Sequence, residues 1–322
     1  MRRSLLLCGG LALLAALFWA VGPSLIIGAL RQIGWAFLPI VSLGTGHQCV
    51  RALALKYSLV RGIRLRYLDA LAIRLSGESV QSLTLTGPVL SQPTSAWLLE
   101  QQGLTLSESF AATLTEYLSF SFVTAAISVA GVVYLALHFT LPSSLHTFAI
   151  FVVALSGSFL IASVIAIVRR VYLIGTIIDW LARKRVLRGR LQPNVAWING
   201  MEEQLLAILH DRPARFAGII LLQLIAQLLL VGELLWLLRA LHIATPRTLA
   251  LVIEGSMKGI EVAFLFVPMQ MGVSEGGYAL LFRTLGLAAA SGVAVALVRR
   301  ARSLVVAGLG VIALSGKGEG FK

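Results

Sequence analysis

Long apolar runs near residues 4–21, 33–50, 107–137, 144–168, 216–240, 247–267 and 286–314 set the pattern of the chain. Most approach or exceed the roughly 20 residues that an α-helix needs to cross a bilayer. Two further stretches, 68–99 and 268–286, are apolar but interrupted. The first holds Gly77, Gly87, Pro88 and Pro93. The second holds Pro268, Gly272, Gly276 and Gly277. Proline removes a backbone donor and glycine loosens a helix, so both stretches read as discontinuous or re-entrant. The expected fold is all-α: a polytopic transmembrane helical bundle forming one integral membrane domain, 1–322.

Between Val195 and Asp211 the pattern becomes amphipathic. Ile198, Met201, Leu205, Ile208 and Leu209 recur at helical spacing, and Asn199, Glu202, Glu203 and His210 take other positions. A helix on the membrane surface and a linker packed on the bundle both fit. The longest polar stretch, Ala182 to Arg215, is too short for a soluble catalytic domain.

Composition agrees with the pattern. Of 322 residues 58% are hydrophobic and 13% charged, against about 45–50% and about 25% in soluble domains. Lys and Arg number 27 against 14 Asp and Glu, a net charge of +13. The basic residues cluster between apolar runs: Arg2-Arg3; then Arg51, Lys56, Arg61, Arg64 and Arg66; then Arg169-Arg170 through Arg190 in the segment 169–215. Such clusters mark cytoplasmic loops and can also attract anionic lipid. All three fall on one face if 68–99 returns to its own side, which places the N-terminus in the cytoplasm. The first apolar run is expected to be an uncleaved helix, since no A-x-A site follows it. Nothing points to nucleic acid.

Cys8 and Cys49 sit in apolar surroundings and read as packing residues. The five histidines are scattered with no metal spacing, so no metal or cofactor is expected. There is no G-x-x-x-x-G-K-[ST] nucleotide loop.

Ionisable residues inside apolar runs need partners or a cavity. Arg74 and Glu78 stand one helical turn apart, as do Glu254 and Lys258, with Glu261 a turn further. Glu233, Gln223 and Gln227 are candidates for interhelical hydrogen bonds. Arg299 and Arg302 share a helix face midway along the last run, with Arg300 between them and Arg283 upstream. Their guanidinium forks suit phosphate oxygens. Headgroup binding and plain interfacial anchoring both fit.

Gly272-Val273-Ser274-Glu275-Gly276 matches G-x-S-x-G, but that motif needs a strand before the serine and a base in reach. Neither is legible. The glycines read better as permitting a broken helix, with Ser274 and Glu275 facing a cavity and Glu275 paired with Arg299 or Arg302. The two interrupted stretches also echo each other. Each runs from proline through a polar turn to Leu-Leu (Leu98-Leu99, Leu280-Leu281) and Gly-Leu (Gly103-Leu104, Gly286-Leu287). Paired interruptions of this kind suggest an internal repeat with a binding site where the halves meet. The stretches near Pro88 and Pro268 are therefore expected to approach each other.

These same residues carry a family resemblance. The run Pro268, Gly272 to Gly276, Leu280-Leu281 and Gly286-Leu287, then a small-residue helix with Arg299 or Arg300, resembles the flippase-like membrane region of lysylphosphatidylglycerol synthases. Stand-alone relatives, including hopanoid-biosynthesis-associated membrane proteins, share that region. Gly77-Glu78-Ser79 with Pro88, Leu98-Leu99 and Gly103-Leu104 resembles the family's first motif. Gln81 stands near an expected Asn, and Ser91-Gln92-Pro93-Thr94 replaces a Gly-Gly-Glu. The resemblance implies lipid translocation or trafficking in a bacterial inner membrane, with membrane lipids and lipid-biosynthetic enzymes as partners. It leaves two rivals open: an intramembrane lipid-modifying enzyme using Glu275 or Glu78, and a scaffold that transports nothing.

Overall fold

The structure is a computed structural model that describes residues 22–59, 65–84, 88–169, 195–243, 246–264 and 272–317, together with Trp19, Val267 and Gln270. The first apolar run, most of the basic segment after Arg169, and Gly87 and Pro268 lie outside the described residues. Among the described residues there are helices and no strands. They are α1 (Pro23–Ile33), α2 (Phe37–Tyr57), α3 (Tyr67–Leu83), α4 (Pro88–Glu100), α5 (Leu106–His138), α6 (Ser143–Arg169), α7 (Val195–Asp211), α8 (Pro213–Ala240), α9 (Arg247–Ala263), α10 (Val273–Thr284) and α11 (Ala289–Lys317).

Local chemistry explains several boundaries. Pro23 and Pro213 open α1 and α8, where a missing N–H is harmless. Thr105 and Glu108 form a reciprocal capping box at the start of α5. Gly103 (φ 90°) and Gly286 (φ 75°) follow α4 and α10 in the left-handed region, which glycine enters without a Cβ clash.

Among the described residues, four segments are long and apolar enough to cross a membrane: Pro23–Tyr57, Leu106–His138, Leu145–Arg169 and Pro213–Ala240. The protein is an integral membrane protein. Helix α2 has 21 residues, or roughly 31 Å at 1.5 Å per residue. Trp35 and Trp236 are exposed near one end of it, where Trp236 donates to the Ala36 carbonyl at 3.3 Å. Tyr57 is exposed at the other end. Amphipathic rings at both ends of a bilayer-length helix mark the two interfaces. By contrast α3 has 17 residues, α4 13 and α10 12. At about 1.5 Å each, none spans a 30 Å hydrocarbon core.

Helices α2 to α5 and α8 to α11 follow the same plan. Each set has a long helix, a 17-residue helix, a break, a helix of 13 or 12 residues, a left-handed glycine and another long helix. The sets meet through α2 against α8, α3 against α11 and α5 against α9. Gly46 lies near Leu229, His47 near Ala226 and Tyr57 near Gly218, so α2 and α8 run antiparallel. The approach expected between the stretches near Pro88 and Pro268 falls, at Pro268, outside the described residues; among those described, α4 packs on α3 and α5, and α10 on α9 and α11.

Small residues permit the closest crossings. A Cβ at Gly255 would lie 2.5 Å from the Ile127 carbonyl oxygen, and one at Gly131 2.9 Å from Gly255 Cα. Gly255→Val should therefore force α5 and α9 apart and destabilise the protein by about 1–3 kcal/mol. Gly157→Ala has open space within 4 Å and should be neutral. Thermal unfolding of the detergent-purified variants checks both; equal midpoints would contradict the packing.

Helix α7 packs on α5, α6 and α8. Met201 and Ile208 are buried, the latter with Ala54 and Ile219. The described part of this segment packs on the bundle, as one of its two readings had it.

Candidate functional site

Among the described residues, two clusters of charged side chains stand inside the bundle. In the second half, Arg299 of α11 is the hub. Its Nη1 is 2.7 Å from Glu254 Oε2 of α9, and its Nε is 3.3 Å from Glu233 Oε1 of α8. It also donates to the Tyr278 hydroxyl and, at 3.0 Å, to the Leu230 carbonyl. Arg302, one turn on, donates to Glu233 Oε2 at 2.5 Å. Its side chain lies over Gly44 of α2, where only a glycine leaves room. Lys258 lies 3.9 Å from Glu254 and 2.9 Å from Glu261. Glu233 and Glu254 have no exposed surface. Neither Glu254 oxygen receives a well-aligned hydrogen bond, so its contact with Arg299 is an ion pair with acceptor capacity left over.

In the first half, Arg51 of α2 forms a two-point bridge to Glu116 of α5, with Nε–Oε1 at 2.7 Å and Nη2–Oε2 at 3.1 Å. Its guanidinium lies 3.7 Å over the Phe120 ring. Gln223 of α8 donates to Glu116 Oε1 at 3.2 Å. Arg74 of α3 donates to Glu78 at 3.0 Å, one turn away, and its buried Nε has no partner.

The clusters occupy matching positions in the two halves with opposite charge. Arg51, Arg74, Glu78 and Glu116 stand on α2, α3, α3 and α5. Glu233, Glu254, Lys258 and Arg299 stand on α8, α9, α9 and α11. Because α2 and α8 are antiparallel, Arg51 and Glu233 lie toward opposite ends of that helix pair.

Sequence reasoning placed some of these residues and missed others. Arg299 and Arg302 do share one face, and it points at Glu233 and Glu254. Glu275 is not their partner. It pairs with Arg300 at 3.0 Å while also accepting from the Gly272 N–H at 2.9 Å. Arg300 is offset by about 100° around α11, so it faces α10 while its neighbours face the interior. Ser274 is half-buried in the first turn of α10, Gly276 is exposed and Gly277 is buried against Met257 and Ile260. Arg283 is exposed in the last turn of α10. Pro88 begins α4. Arg51 is not a loop charge as its basic neighbours suggested: it is 4% exposed, because Glu116 and Phe120 hold it inside. The signal for Glu116 was an acid in the middle of a 33-residue apolar helix.

The sequence model of one family, described as lysylphosphatidylglycerol synthase TM region, matches residues 5–310. The chain belongs to this family. Nothing matches among curated proteins or among solved structures. For a lysylphosphatidylglycerol synthase TM region a lipid-related membrane role follows, and G-x-S-x-G is a helix start rather than a nucleophile elbow. Ser274→Ala should accordingly leave lipid handling and stability unchanged, within about 0.5 kcal/mol. Loss of function measured in that variant alone would restore the nucleophile.

Proposed function

We propose that the protein moves a phospholipid between the leaflets of a bacterial inner membrane, with its N-terminus and basic loops in the cytoplasm. The observation that carries this reading is the pair of charge-inverted clusters at matching positions of two antiparallel sets of helices. Antiparallel sets are the arrangement expected of an inverted repeat, which can open a central path to either side in turn. Each cluster offers guanidinium groups suited to a phosphate diester and carboxylates suited to an amine. In the closed arrangement these groups neutralise one another. A headgroup would compete for Arg299 and Arg302, with Ser274, Glu275 and Arg283 on the approach to them through α10.

The enzyme reading is less well supported. Glu78 and Glu275, its candidate acids, are tied to Arg74 and Arg300. Reconstitution into vesicles tests the proposal against its rivals. A translocator changes the leaflet distribution of an intact labelled lipid, an enzyme changes the lipid's mass, and a scaffold for lipid-biosynthetic enzymes does neither.

A further inference from the structure

His47 of α2 has no part in either cluster, yet it lies between them. It is 5% exposed. Its Nδ1 is 2.9 Å from the Ala226 carbonyl of α8. A carbonyl only accepts, so Nδ1 carries the hydrogen and Nε2 keeps the free lone pair. The ring meets Phe120 of α5 edge-on at 5.9 Å, and that same Phe120 supports Arg51. The cations that act on it are Arg51 from its own helix, Arg74 from α3 and Arg302 from α11. The carboxylates of these cations are already engaged: Glu116 is bridged to Arg51, Glu78 to Arg74, and Glu233 is held by Arg299 and Arg302. His47 therefore senses both clusters at the crossing about which the two halves are arranged. A proton taken up at Nε2 leaves the Nδ1 hydrogen bond to Ala226 in place.

We propose that His47 binds the proton that couples lipid movement to the transmembrane proton gradient; this rests on the translocation reading above. A proton on Nε2 adds a positive charge beside three guanidinium groups whose carboxylates are engaged. A phosphate diester drawn to Arg51 or Arg302 brings the compensating negative charge. Each event then favours the other, and the linkage is reciprocal. One N–H bond forms at Nε2 on the side where the lipid enters. It breaks to water on the side where the lipid leaves. A singly anionic lipid and one proton cross together, so the cycle carries no net charge and responds to the pH difference rather than to voltage.

The test uses the full chain in phosphatidylcholine vesicles with a trace of headgroup-labelled phosphatidylglycerol, at pH 6 inside and pH 7 outside. One proton per lipid across one pH unit supports an outer-to-inner ratio of up to about tenfold. An electroneutral potassium–proton exchanger such as nigericin, with equal potassium on both sides, removes the pH difference and should return the ratio to one. His47→Gln keeps a donor for Ala226 and should relax to an even distribution whatever the gradient, more slowly than wild type. His47→Asn serves if the Gln variant does not insert. Lipid that moves in wild type but ignores the gradient overturns the proposal and leaves translocation standing. A His47 variant that still follows the gradient overturns it too. If wild type moves no lipid beyond protein-free vesicles, translocation itself fails, and the proposal with it.

Discussion

Arg299→Ala should abolish lipid movement and destabilise the protein by about 5 kcal/mol. Arg299 is the shared partner of Glu233 and Glu254, both without exposed surface. Its removal leaves Glu254 only Lys258 at 3.9 Å. Breaking a buried pair by removing one partner costs about 3–5 kcal/mol, because a charge is left uncompensated. Two carboxylates sharing the loss put this variant at the upper end. Arg299→Lys should recover part of the stability and little of the activity, since a point charge cannot hold two carboxylates and a carbonyl as a planar fork does. The test of cause is the double variant Arg299→Met, Glu254→Gln. It removes the hub and the carboxylate stranded without it, keeps Glu233 on Arg302, and should regain most of the unfolding midpoint while remaining inactive. A double variant as unstable as Arg299→Ala would show that the loss comes from packing rather than stranded charge.

Arg51→Ala should have the second largest effect, about 3 kcal/mol with loss of activity. Glu116 would lose a two-point bridge while 2% exposed, but Gln223 still donates to it. That remaining donor is why the cost falls below the Arg299 value. The stacking of Arg51 on Phe120 is lost as well, worth about 0.5–2 kcal/mol. Arg51→Met with Glu116→Gln should restore stability without activity. Detergent unfolding and vesicle assays read the two quantities separately. An Arg51→Ala protein that is stable and fully active would remove the first cluster from the mechanism.

The helical membrane class was legible because runs of about 20 apolar residues have few other uses. The breaks near Pro88 and Gly272 were legible too, since proline and glycine act on the backbone locally. Pairs on one helix, such as Arg74–Glu78 and Lys258–Glu261, follow from spacing alone. Partners on different helices did not follow. Whether Glu275 meets Arg299 or Arg300 depends on how α11 is rotated against α10, and that is fixed by packing such as Gly292 against the Tyr278 carbonyl. Arg51 was misread for the same reason. In sequence it joins a basic cluster, and only the crossing of α2 with α5 brings Glu116 to it. The charge inversion between the halves became visible once the helices gave each residue its counterpart.

The most direct measurement of the central claim is the rate at which headgroup-labelled phospholipid equilibrates between leaflets of vesicles holding the purified protein. Wild type should move lipid well above the protein-free rate, and the stable double variant at Arg299 and Glu254 should fall to that rate with the lipid's mass unchanged. Equal rates for the double variant and wild type, or no movement by wild type, would contradict it.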